Sequence, residues 1–215
     1  MLLGVGGNAN WPANPNLFSD FLTVSYNAST MQFTVSGLTP SYVDPTGNAA
    51  YGGPDYPDFV VDDYDMANPG TFSLSATVNN SGSLVSGTVA IGCAAGVYDP
   101  NYEAQLDGPG ILLEGNLTAF GYRDGSDYSR FDFEFTVTGG ELANDYGGIG
   151  ATAGTALDTA DLSFPGSFTG NFNSNGQGDA DTLMMVPEPE PQILVILSLL
   201  GLCGVARRRA TMRKA

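Results

Sequence analysis

Carboxylates are the main chemical resource of this chain. Between Tyr51 and Asp65, the aspartates Asp55, Asp58, Asp62, Asp63 and Asp65 interleave with Tyr51, Tyr56 and Tyr64. Oxygen-rich loops suit Ca²⁺, which takes roughly six to eight oxygen ligands without strict geometry. Asp58, Asp62, Asp63 and Asp65 are the candidate calcium ligands. Aromatic rings beside carboxylates also suit sugars, whose apolar faces stack while acids accept from hydroxyls. The plainer alternative is a solvated loop in a very acidic protein. A second oxygen-rich stretch, Asn171-Phe172-Asn173-Ser174-Asn175-Gly176, matches the first half of a helix-flanked calcium loop. Thr182 stands where the closing bidentate carboxylate belongs, so a linker is the better assignment. Asp132 and Glu134 could in principle drive glycoside hydrolysis. They sit two apart on one strand face, and an acid catalyst needs partial burial to raise its pKa; nothing in the sequence suggests a cleft there, so they read as exposed strand positions.

Other chemistry is excluded by composition. The chain has no histidine, which removes histidine-based triads and histidine metal sites. The sequence points to no enzyme. Cys93 reads as a small core residue and Cys203 lies in the C-terminal apolar run, so no disulfide is expected to staple the body. Trp11 reads as a packing residue. Of the 7 basic residues, only Arg123 and Arg130 precede Pro187, against 21 acids there, a net charge of −19. Such a body repels nucleic acid and anionic membranes. Arg123 and Arg130 are expected to pair with nearby acids such as Asp124, Asp127 or Asp132.

The elements that must position these residues follow a period of two. Leu22, Val24 and Tyr26 share one face, Asn27 to Thr30 turns the chain, and Met31, Phe33 and Val35 return. Residues 39–70 read as a long proline-interrupted loop, with a short strand or a plug at Phe59-Val60-Val61. Phe72, Leu74, Ala76 and Val78 alternate with hydroxyls, and after the turn Asn79 to Ser83 the chain returns through Val89 and Ile91. A strand from Ile111 to Tyr122, bent at Gly115, precedes the turn Arg123 to Asp127. Phe131, Phe133, Phe135 and Val137 then alternate with Asp132, Glu134, Thr136 and Thr138, the clearest half-buried strand. Residues 147–160 read as a small-residue loop, Ser167 to Phe172 as a last strand, and Asn173 to Asp181 as a polar spacer. Short strands between turn signals, with no helical pattern before Gln192, predict an all-β fold, an antiparallel β-sandwich or jelly roll.

The C-terminus differs in kind. Pro187-Glu188-Pro189-Glu190-Pro191 cannot extend a strand or helix. The 14 residues Ile193 to Ala206 carry no charge, and Arg207-Arg208-Arg209 follow at once. An apolar run in lipid satisfies its backbone only as a helix, and arginines hold its far end on the cytoplasmic side. A spanning helix uses about 20 residues, so the flanking residues from Val186 and snorkelling arginines must extend the 14.

This ordered set resembles the PEP-CTERM sorting signal of exported bacterial proteins. The resemblance covers Val186 to Arg209: Val186-Pro187-Glu188-Pro189, the pairs Leu200-Gly201 and Leu202-Cys203-Gly204, and the arginine run. The family implies recognition by an exosortase, a membrane-embedded cysteine protease. It implies cutting near the Pro-Glu-Pro motif and release to the cell surface. Gly110 to Phe172 also looks loosely like the bodies of other such proteins, with no activity implied. The expected organisation is a leader or signal remnant at 1–10, a β-sandwich ectodomain at 11–172, a polar linker at 173–186 and the sorting signal at 187–215. The expected state is an inner-membrane intermediate held by residues 192–206 with a cytoplasmic C-terminus, then a cell-surface or matrix protein. Exosortase and extracellular polysaccharide are the expected partners. A glycan- or calcium-binding adhesion module at 51–65 and a carboxylate-based polysaccharide hydrolase are the alternatives.

Overall fold

The computed structural model describes residues 3, 15–43, 59–60, 70–93, 98–99, 104–105, 110–124, 128–159, 164–174, 176 and 178–185. Chain contacts divide at Met185, so that residues 186–215 form a unit of their own. The expected sorting motif, apolar helix and arginine run fall in that unit, outside the described residues.

Among the described residues, twelve strands are present: β1 (Asn16–Asn27), β2 (Gln32–Val43), β3 (Phe59–Val60), β4 (Thr71–Val78), β5 (Leu84–Cys93), β6 (Tyr98–Asp99), β7 (Ala104–Gln105), β8 (Gly110–Arg123), β9 (Ser129–Gly139), β10 (Thr152–Thr159), β11 (Phe172–Asn173) and β12 (Gly178–Met184). Eight of them form a ring in the order β1, β2, β4, β5, β8, β9, β10, β12, and β12 pairs back onto β1. Every pairing is antiparallel, so the all-β antiparallel expectation holds, but the body is one closed up-and-down barrel and not two stacked sheets. The expected short strand is present at Phe59–Val60 as β3, which adds to β2; β11 adds to β1, and β6 pairs with β7.

Alternation explains the wall. In β4, Phe72, Leu74, Ala76 and Val78 are buried while Thr71, Ser73 and Ser75 are exposed. Apolar residues therefore fill the barrel and hydroxyls face out, the reverse of a lipid-facing barrel, whose outer band is apolar. Outward hydroxyls and amides align across the strands, as in Ser25, Thr34, Ser75, Thr88, Asn116 and Thr136. Gln32 Nε2 donates to Thr77 Oγ1 at 3.0 Å along a neighbouring row.

Aromatic rings pack the interior. Phe33 lies 5.2 Å from Phe131, 5.4 Å from Phe133 and 5.9 Å from Phe120, between ring centroids. Phe164, Phe168 and Phe172, expected to bracket a strand, instead plug the barrel at its tight-hairpin end. Phe168 meets the Tyr26 ring edge-on at 5.0 Å and Phe164 meets Tyr122 at 5.6 Å. The turns between β9 and β10 plug the opposite end with the buried Leu142, Ala143 and Tyr146, whose Oη donates to the Thr182 carbonyl at 2.8 Å. Ser19 and Thr39 share a hydrogen bond of 3.0 Å inside, and Thr155 and Thr182 one of 2.9 Å.

The hairpin turns follow their side chains. Asn27 Oδ1 accepts from the Ser29 amide, and Asn79 Oδ1 accepts from the Ser81 and Ser83 amides, each at 3.0 Å. Gly82 adopts φ +78°, and a Cβ there would meet the Tyr122 ring at 2.7 Å.

Other segments also differ from expectation: β2 runs on through residues 39–43, which were anticipated as loop. Residues 152–159, anticipated as loop, form β10, and much of the anticipated spacer forms β12, the strand that closes the barrel. Asn171 Oδ1 accepts from the Ala28 amide and Ser174 Oγ from the Val24 amide, each at 2.8 Å, so this stretch is fastened to β1.

Candidate functional site on the outer wall

Several charged side chains of the described body, from β9, β10 and β12, gather on one part of the outside. Because Phe131, Phe133 and Phe135 turn inward, Arg130, Asp132 and Glu134 turn outward. The register continues this across two strands. Arg130 lies opposite Asp158, which lies opposite Asp179, and Asp132 lies opposite Ala156, which lies opposite Asp181. Arg130 Nε donates to Asp132 Oδ1 at 2.9 Å and its Nη1 approaches Asp158 Oδ2 at 3.5 Å. Asn16 Nδ2, on the adjoining strand, donates to Asp181 Oδ1 at 2.8 Å.

A distortion of β1 borders this patch. Its register shifts between Ser19 and Leu22 against β12, and on both sides of Asp20 against β2. Bulges of this kind re-aim side chains. Here Phe21 takes φ +53° and projects outward, 64% exposed. The Phe21 amide donates to Asp20 Oδ1 at 2.7 Å, which holds the carboxylate at the edge of the acidic wall.

The electrostatics follow from crowding. Desolvation first, then the Asp132 charge, raise the Asp158 carboxyl above its ordinary value and outweigh the opposing pull of Arg130. Asp179 is raised by desolvation and by Asp158, Asp181 and Asp20. Asp179 keeps an exposed face, so its like-charged neighbours are the more durable cause. Burial works to lower the Arg130 guanidinium, but its hydrogen bond and charge contact with Asp132 prevail and raise it.

Part of this outward wall is dry. Asp132 is 0% exposed and Ala156 5%. The Leu3 amide donates to Asp132 Oδ2 at 3.0 Å. The buried oxygens Asn16 Oδ1 and Asp158 Oδ1 have no hydrogen-bond partner.

Sequence reasoning singled out only part of this arrangement. Asp132 and Glu134 do face outward, but the expected solvent exposure fails at Asp132, which is 0% exposed because Arg130 and Leu3 donate to its two carboxylate oxygens in place of water. Arg130 takes one of its anticipated partners, Asp132, and adds Asp158. Arg123 instead donates to the Tyr128 hydroxyl at 2.9 Å and stacks over that ring. Asp158, Asp179 and Asp181 were missed because their segments read as loop and spacer. The alternation of Asp179, Asp181 and Leu183 with Ala180 and Thr182 was the available signal.

Asp58, Asp62, Asp63 and Asp65 lie outside the described residues, as do Trp11 and the motif Val186, Pro187, Glu188 and Pro189 with Arg207, Arg208 and Arg209. Among the described residues, no group of three or more histidine, cysteine, aspartate or glutamate side chains is placed to hold a metal ion. The wall can therefore accept hydrogen bonds and repel anions, and its carboxylates do not face one another across a cleft. No family model matches the chain, and neither the curated proteins nor the solved structures hold a significant match to it.

Proposed function

We propose that this chain is an exported bacterial surface protein, delivered through its C-terminal sorting signal, with a non-enzymatic barrel as cargo. The observation that carries this reading is the order of the tail: Pro187-Glu188-Pro189, the 14 uncharged residues from Ile193 to Ala206, then Arg207-Arg208-Arg209. In it, residues 192–206 form a transmembrane helix with the arginines in the cytoplasm, and exosortase cuts near the prolines. The protein then reaches the cell surface or the surrounding polysaccharide.

The barrel supports the reading in three ways. Its outward hydroxyls suit an aqueous exterior. Its interior is filled by rings and aliphatic side chains, leaving hydrophobic packing to hold the fold. β12 ends at Met184, so only Met185 and Val186 intervene before Pro187. The motif thus follows directly on a folded body, where a sorting protease separates cargo from anchor.

The test is substitution of the motif. Glu188→Ala together with Pro189→Ala should leave the protein full-length and membrane-bound in a host that processes the parent. Normal processing of that variant would refute the assignment of the motif.

The acid–tyrosine stretch Tyr51 to Asp65 favours a second reading, a calcium- or glycan-binding adhesion module.

A further inference from the structure

On the export reading proposed above, we propose that Leu3 is a permanent part of the folded barrel, strapped by its amide to Asp132 on the outer wall, and not part of a leader removed on export. Outward-facing residues of a barrel meet water unless chain lies over them. On β4 they do meet it, as Thr71, Ser73 and Ser75 show. On the opposite side of the ring, four outward residues are dry: Asn16 is 4% exposed, Asp132 0%, Ala156 5% and Leu183 3%. They belong to one patch, since Asp132 pairs with Ala156 across β9 and β10, and Leu183 pairs with Asn16 across β12 and β1.

Leu3 reaches this patch at Asp132. Its amide donates to Asp132 Oδ2 at 3.0 Å, while Arg130 Nε donates to Oδ1 at 2.9 Å, so each carboxylate oxygen receives a donor. A buried carboxylate is stable only when such donors replace water. Removing Leu3 with a leader at 1–10 would take one donor from an outward-facing carboxylate that is fully buried. The processing event that produces the mature protein therefore falls before Leu3.

Amide exchange of the intact chain tests the strap directly. The Leu3 amide should exchange at least about 100-fold more slowly than an unstructured amide, as expected for a hydrogen bond opened only with its surroundings. Exchange at the unstructured rate would overturn the proposal. Leu3→Pro removes the donor, and it should lower Tm by roughly 3–10 °C, given the strength of hydrogen bonds to charged groups. Leu3→Ala keeps the amide and should retain its slow exchange. Asp132→Asn should abolish most of the difference between Leu3→Pro and the parent, because the two changes strike one contact. Full additivity would count against the contact. In cells, the exported protein should begin upstream of Leu3, and an N-terminus anywhere from Gly4 to Asn10 would contradict permanence.

Discussion

Asp158 of β10 stands directly opposite Asp179 of β12 on the outside of the barrel, so two carboxylates occupy one cross-strand position. Like charges in that relation destabilise a sheet, by about 0.2–1 kcal/mol. Both carboxyls have folded pKa values raised above the ordinary aspartate value of 3.8, for which desolvation and neighbouring acids are responsible. The folded state thus holds protons more tightly than the unfolded chain. This contribution to stability is complete below the ordinary value and is lost as pH rises through the raised folded values. Asp179→Asn should therefore raise Tm at pH 7 by about 1–3 °C, and should flatten the decline of Tm between about pH 4 and neutrality. Thermal melts across that range check both. A lower Tm at pH 7 would mean that Asp179 makes a net favourable contact.

The two buried tyrosines predict the alkaline limit. Tyr146 is pushed well above the ordinary phenol value, chiefly by burial, and burial also raises Tyr26. Their contribution is intact below about pH 10 and is lost as pH rises beyond it, because the unfolded phenols ionise first. Tyr146→Phe leaves the Thr182 carbonyl without its donor, and Tyr26→Phe does the same to Val78, whose carbonyl accepts at 2.8 Å. Each should cost about 1–3 kcal/mol in denaturant unfolding.

Close packing of the wall predicts a severe glycine substitution. A Cβ on Gly115 would strike the Phe135 ring and lie 2.7 Å from the Thr136 carbonyl oxygen. Gly115→Ala should destabilise by about 1–3 kcal/mol, the typical cost of overpacking. Phe33→Ala removes a ring that touches Phe120, Phe131 and Phe133, and should cost about 3–5 kcal/mol. Urea unfolding at constant slope measures both.

Calcium separates the two readings of the body. As a non-binding cargo, the barrel should show the same Tm, within about 1 °C, with millimolar Ca²⁺ or a chelator. Specific binding to the folded state would raise Tm with concentration, by about 2.7 kcal/mol of stability at a hundredfold excess over Kd. A rise that Asp62→Asn with Asp63→Asn abolishes would establish the binding module at residues 51–65.

Legibility in the sequence followed side-chain contrast. In β4 and β9, large apolar residues alternate with Ser, Thr, Asp or Glu, so both strands and their inward faces could be read directly. The hairpin turns at Asn27 and Asn79 were equally plain, since asparagine and serine supply the turn bonds. β10 was not legible: Ala153, Gly154, Thr155, Ala156 and Leu157 are all buried, and small residues on both faces leave no period. β12 was hidden likewise, because Ala180 and Thr182 are its inward residues. Barrel and sandwich share a period of two. Closure depends on β1 pairing both β2 and β12 around the Phe21 bulge, a relation between distant segments that local pattern does not encode. The acidic wall depends on that same closure.

The most direct test of export and sorting is the intact mass and membrane partitioning of the protein, expressed behind an export signal, in a host with and without exosortase. Sorting predicts a product that ends between Pro187 and Pro191 and leaves the membrane, found only where exosortase is present. Full-length protein retained in the membrane of both hosts would make the tail a permanent anchor and contradict the proposed function.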